Sequence, residues 1–160
     1  MRKVITILVA LCAIAYIFIA LRLLIFRNTA QFSHLMENIG LPRHYSSYNL
    51  VPFRTIIGYF KALIDRSMTR GIQIQNIVGN LLAFMPLGFF LPFFIKKMSR
   101  LIIFAMTVSG SIITIELLQF ILRVGSMDID DFILNLLGAL IGFAICTHKP
   151  VSNTLKMRAY

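Results

Sequence analysis

With 160 residues, 58% of them hydrophobic and 14% charged, and a mean hydropathy of +0.82, this chain has too little polar surface for a water-soluble domain of its size. It is predicted to be an all-α polytopic membrane protein, with no room for a second domain. Sixteen Lys and Arg against six Asp and Glu give a charge of +10. The bases flank apolar runs, which argues for membrane orientation and anionic headgroups and against nucleic acid as a partner.

The chain opens on Arg2-Lys3 and an apolar stretch from Ile7 to Leu21 that continues past Arg22 to Phe26. That is long enough to cross a bilayer and no A-x-A-like site follows, so residues 1–27 read as a retained transmembrane anchor and not as a leader. Residues 28–71 are too polar to cross. Within them, "FRTIIGYFKALID" places Phe53, Ile56, Ile57, Phe60, Leu63 and Ile64 at i, i+3, i+4, i+7, i+10 and i+11. Arg54, Lys61 and Asp65 fall on the other side. The spacing predicts a helix lying in the membrane interface, started behind Pro52, with a short soluble cap helix packed on the bundle as the alternative. Three more spans follow within 72–147, at about 72–95, 101–122 and 128–147, and a basic tail occupies 148–160. The fourth span is short unless its acidic start belongs to the helix. Cys12 and Cys146 sit in apolar runs without a C-x-x-C pattern and read as small hydrophobes.

Orientation follows from the bases. With the N-terminus inside, 1–3, 96–100 and 148–160 hold eight Lys/Arg, and the much longer stretches on the other side hold seven. This density favours cytoplasmic N- and C-termini, with "KKMSR" as the strongest cue.

Polar residues inside the spans carry the functional signal. A central charge costs roughly 2.5–3.5 kcal/mol on insertion scales, so such groups turn inward and seek one another. Asn76 and Asn80 follow Gln73 at i+3 and i+7; Glu116, Gln119 and Arg123 repeat that spacing, and so do Asp128, Asp131 and Asn135. Each trio stays within roughly 60° of arc. Because consecutive spans run in opposite directions, all three polar halves fall in one leaflet. Glu116 is the deepest charge, with Arg123 or Arg22 as its expected partner. Asp130 leaves the stripe and reads as a solvated helix-start acid. Gly138 and Gly142 continue the stripe and let another helix approach closely.

Three readings of this edge stay open: a network that fixes helix packing, a site for a polar headgroup, and chemistry. His34, His44 and His148 lie off the stripes, and no nucleophile–base pair, phosphate loop or calcium loop is visible. No catalytic residue, metal site or cofactor is therefore assigned.

"NLVPFRTI" (49–56), "NIVGNLLAFMPLGFFLPFF" (76–94) and "IELLQFILRVGSMDIDDFILNLLGALIGF" (115–143) together resemble the VanZ-like family of small bacterial membrane proteins. The resemblance implies an integral protein of the bacterial cell envelope, in a family named for a protein associated with resistance to teicoplanin, a lipoglycopeptide. It supplies no catalytic residues. The function expected is engagement of a membrane lipid or lipid-tailed ligand by Asn76, Asn80, Glu116, Gln119, Arg123, Asp128, Asp131 and Asn135, with Phe53, Phe60 and Phe84 along the tail path. The alternatives are an intramembrane enzyme acting on a lipid-linked substrate and a small lipid transporter.

Overall fold

The computed structural model describes residues 2–26, 48–65, 70–121 and 127–148. Among these residues five helices carry the fold: α1 (Arg2–Phe26), α2 (Arg54–Asp65), α3 (Arg70–Phe94), α4 (Leu101–Ile121) and α5 (Ile129–Thr147). All but α2 contain a stretch long and apolar enough to cross a membrane. The predicted four spans and the amphipathic helix between the first two are thus all present. A 3-10 turn at Lys96–Ser99 reverses the chain between α3 and α4 and exposes Lys96, Lys97 and Arg100. Pro86 and Pro92 lie inside α3 without ending it. They leave the Leu82 and Gly88 carbonyls without an intrahelical donor, a loss that membrane helices tolerate when neighbours compensate.

Helices α3 and α5 run parallel and form the closest pair in the bundle. A Cβ on Gly138 would strike the Leu81 carbonyl, one on Gly142 the Met85 carbonyl, and one on Gly88 the Ala139 carbonyl. Backbone lies against backbone, as small residues allow where lipid gives no hydrophobic drive to association. Against this pair packs α4, whose buried residues Phe104, Val108, Ile112 and Glu116 recur every fourth position. Phe84, Phe104, Val108, Ile112 and Ala139 form the apolar core, and the Phe104 and Phe143 rings meet at 4.8 Å. Helix α1 is held to α3 by Tyr16, whose hydroxyl donates to the Ala83 carbonyl at 2.7 Å while its ring lies 5.7 Å from that of Phe90.

One feature had no signal in the hydrophobic pattern. Tyr48–Asn49 (β1) and Met127–Asp128 (β2) pair as a parallel two-residue ladder, Tyr48 with Met127 and Asn49 with Asp128. It draws the segment before α2 onto the segment before α5. Helix α2 then presents three sides. Thr55, Ile56, Tyr59 and Ala62 are half-buried against the bundle; Arg54, Gly58, Lys61 and Asp65 are exposed on a polar side. Phe53, Ile57, Phe60 and Ile64 form an apolar stripe between them, 50–80% exposed. Ile56, expected on the membrane face, belongs instead to the packed side, while the Leu63 side chain lies outside what is described.

Candidate functional site: a polar layer above the apolar core

Each of the three core helices changes from apolar to polar over one turn. Asn80 stands one turn before Phe84 on α3, Glu116 one turn after Ile112 on α4, and Asn135 one turn before Ala139 on α5; all three polar side chains are buried. Since α4 runs against α3 and α5, these residues make one layer on one side of the core. The Asn80 amide donates to Oδ1 of Asp131, a short contact that links α3 to α5. Glu116 Oε2 accepts the backbone N–H of Asp128 at 3.3 Å, which links α4 to the start of α5. Asn135 occupies the same face of α5 as Asp131 and Gly138, and its buried carbonyl Oδ1 has no hydrogen-bond partner among the described residues. Leaving such an acceptor unpaired costs about 1–3 kcal/mol.

Above the layer, two aspartates tie α2 to α5. Asp128 is the N-cap of α5, with its Oδ1 accepting Asp130 N–H at 2.9 Å. The same carboxylate accepts the Asn49 amide at 3.1 Å and the Thr55 hydroxyl at 2.6 Å, and the Asn49 amide also reaches Thr55 Oγ1 at 3.0 Å. Asp130 is 0% exposed. Its Oδ1 accepts Phe53 N–H at 2.5 Å, and its Oδ2 accepts the N–H groups of Thr55 at 2.7 Å and Ile56 at 3.1 Å. The Thr55 and Ile56 amides are orphans of the first turn of α2, which an N-cap side chain would normally satisfy, and the third is the amide of the N-cap residue itself. Phe53 holds the N-cap position and has no acceptor to offer, so a carboxylate from another helix takes that role. Phe53 itself has φ 65°, a left-handed backbone uncommon for a side chain of its size.

The expectation for Asp130 was therefore wrong. It is the most enclosed acid described, because the amides at the α2 N-terminus replace the water it would otherwise need. Arg22 is exposed and forms no ion pair with Glu116 in the described structure, so that pairing is also set aside; Arg123, with the Gln73 side chain, lies outside the described residues. Among the other predicted site residues, Asn80, Glu116, Asp128 and Asp131 are joined by hydrogen bonds as above. Asn76 turns to α2 and donates to the Tyr59 hydroxyl at 3.1 Å. Gln119 is half-buried at the edge of the layer. Phe84 is a core residue and not part of a tail path. Asn49, Thr55 and Tyr59 were not singled out as site residues, although Asn49 falls inside the first matched motif and "NLVPF" carries the turn chemistry of its side chain, which accepts Val51 N–H at 3.2 Å. Among the described residues no group of three or more His, Cys, Asp or Glu is arranged to hold a metal ion.

A four-span helical bundle with an amphipathic helix fastened over one polar end is a multi-pass membrane protein built around an intramembrane polar layer. The VanZ/LLP1 family model matches residues 9–151, and the chain belongs to that family. It is 33% identical over 102 residues to Protein VanZ of Enterococcus faecium, an alignment that covers 64% of this chain and 53% of the relative. The chain thus spans about half the length of that relative. No solved structure matches.

Proposed function

We propose that this protein works in the bacterial cell membrane, with both termini in the cytoplasm, and that its polar layer engages the head of an amphiphile. The ligand class is a membrane lipid or a lipid-tailed glycopeptide, and the outcome is a contribution to resistance against teicoplanin-type antibiotics. The observation that carries this reading is the buried layer itself: Asn80, Glu116 and Asn135 sit above an apolar core, and the Asn135 carbonyl is left without a partner among the described residues. Such groups are costly in a bilayer and in membrane proteins mark binding sites and pathways. The oxygens of Asp128 and Asp130 are engaged in tying α2 to α5, so ligand contact falls to Asn80, Glu116, Gln119, Asp131 and Asn135, and Asp128 becomes a support for them. Kinship with a VanZ protein supplies the link to the cell envelope.

The test is protection of a susceptible host against a lipoglycopeptide. Wild-type protein is expected to raise the inhibitory concentration, and Glu116→Gln and Asn135→Leu are expected to abolish the rise while accumulating in the membrane at wild-type levels. Full protection by both variants, or none by the wild type, contradicts the proposal.

A further inference from the structure

The polar layer leaves α2 unexplained as a surface. Its stripe of Phe53, Ile57, Phe60 and Ile64 is uncovered by the protein, and the exposed side chains of Tyr48, Leu50 and Val51 extend the same apolar surface towards the chain entering the helix. An apolar area of this kind marks an interaction site. Its level is fixed: Asp130 ties the start of α2 to the start of α5, and the Tyr59–Asn76 bond ties its middle to α3. The stripe therefore lies where the spans leave the hydrocarbon, continuous with their lipid-facing sides.

The charges on α2 are arranged unequally around that stripe. One flank is the side packed on the bundle. The other carries Arg54 and Lys61, seven residues apart and so within about 20° of one another. Both are exposed, and neither side chain makes a hydrogen bond or ion pair among the described residues. Asp65, one turn beyond Lys61, is the acid on that side and leaves a net positive flank. An amphipathic helix with this pattern inserts its apolar face roughly 5–10 Å into the headgroup–acyl boundary, with basic side chains at phosphate level.

We propose that α2 is a docking element for anionic phospholipid: Phe53, Ile57, Phe60 and Ile64 enter the acyl boundary while Arg54 and Lys61 hold lipid phosphates on the flank turned away from the protein. Anionic lipid is thereby concentrated beside the polar layer, whatever ligand that layer takes. The inference stands apart from the proposed function, since it concerns a different surface and a bulk lipid.

The chain contains no Trp, so Phe60→Trp in the full-length protein, excited selectively over tyrosine and held in a tryptophan-free scaffold, is the sole tryptophan reporter. It is placed in nanodiscs holding one protein and equal parts phosphatidylglycerol and phosphatidylcholine, with brominated chains on one lipid or the other. Quenching by both is expected, stronger by about threefold when bromine is on phosphatidylglycerol; the ceiling is about fivefold per basic side chain. Adding Arg54→Gln and Lys61→Gln is expected to bring the ratio to one while quenching persists, with the thermal transition unchanged. Equal quenching by the two lipids without those substitutions overturns the charge selectivity. Absence of quenching by either shows the stripe in water or covered by protein, and overturns the proposal outright.

Discussion

Asp130 meets three backbone amides at the start of α2 while fully enclosed by protein. Its carboxylate and those amides form a mutual requirement: each would be a costly buried group without the other. Asp130→Ala removes every acceptor at once and is expected to destabilise the protein by about 2–4 kcal/mol. Asp130→Asn keeps one carbonyl oxygen and is expected to lose roughly half as much. Thermal unfolding of the detergent-purified proteins gives the order; equal stability of Asp130→Ala and wild type contradicts the tie. The residue was misjudged from sequence because helical periodicity reports only the face of its own helix. The missing signal lay elsewhere, in Phe53: a helix start without Ser, Thr, Asp or Asn has amides that some distant acceptor must satisfy. By contrast Asn80, Glu116, Asp131 and Asn135 were legible, since span depth and i, i+3, i+7 spacing locate inward polar groups directly.

Among the elements, α2 and the α3–α5 pair show how local geometry is fixed. Phe53 keeps its left-handed backbone because the carboxylate of Asp130 draws its N–H inward. Glycine adopts that conformation without the steric penalty. Phe53→Gly is therefore expected to be about 1 kcal/mol more stable than Phe53→Ala, with the alanine variant controlling for the lost ring; the reverse order in thermal unfolding contradicts strain at this position. At the helix pair, Gly142→Ala would drive a methyl into the Met85 carbonyl and against Gly88. A loss of about 1–3 kcal/mol is expected, because backbone cannot yield as a flexible side chain does. A Cβ on Gly110 of α4 would meet nothing within 4 Å, so Gly110→Ala, read by the same unfolding measurement, is expected to be neutral or slightly stabilising through helix propensity. The G-x-x-x-G spacing announced this close approach in the sequence. It did not name α3 as the partner, which is a tertiary fact, and the two-residue β1–β2 ladder is too short for alternation to reveal.

At the scale of the whole molecule, four helices are long and apolar enough to cross a membrane, and the proposed orientation puts the start of α1 and the end of α5 on the cytoplasmic side and the polar layer towards the other. Under the proposed orientation, cysteines introduced near the N-terminus and in the Lys96–Ser99 turn react with an impermeant reagent only after the membrane is breached. A cysteine at Tyr48, exposed beside α2, is expected to react in intact cells; the opposite pattern reverses the orientation. Composition and the pattern of spans made the bundle legible, because the bilayer penalises every misplaced charge. A ligand for the layer was not legible, since ligand identity depends on shape and partners that helical periodicity does not encode.

The central claim is that buried polar groups from three helices receive a polar head beside the membrane surface. Native mass spectrometry of protein released from lipid nanodiscs tests it most directly. Wild type is expected to retain a bound amphiphile through activation energies at which Glu116→Gln and Asn135→Leu, folded and equally abundant, emerge bare. If all three shed lipid together, or all keep the same amount, nothing is held at that layer and it serves only to join the helices.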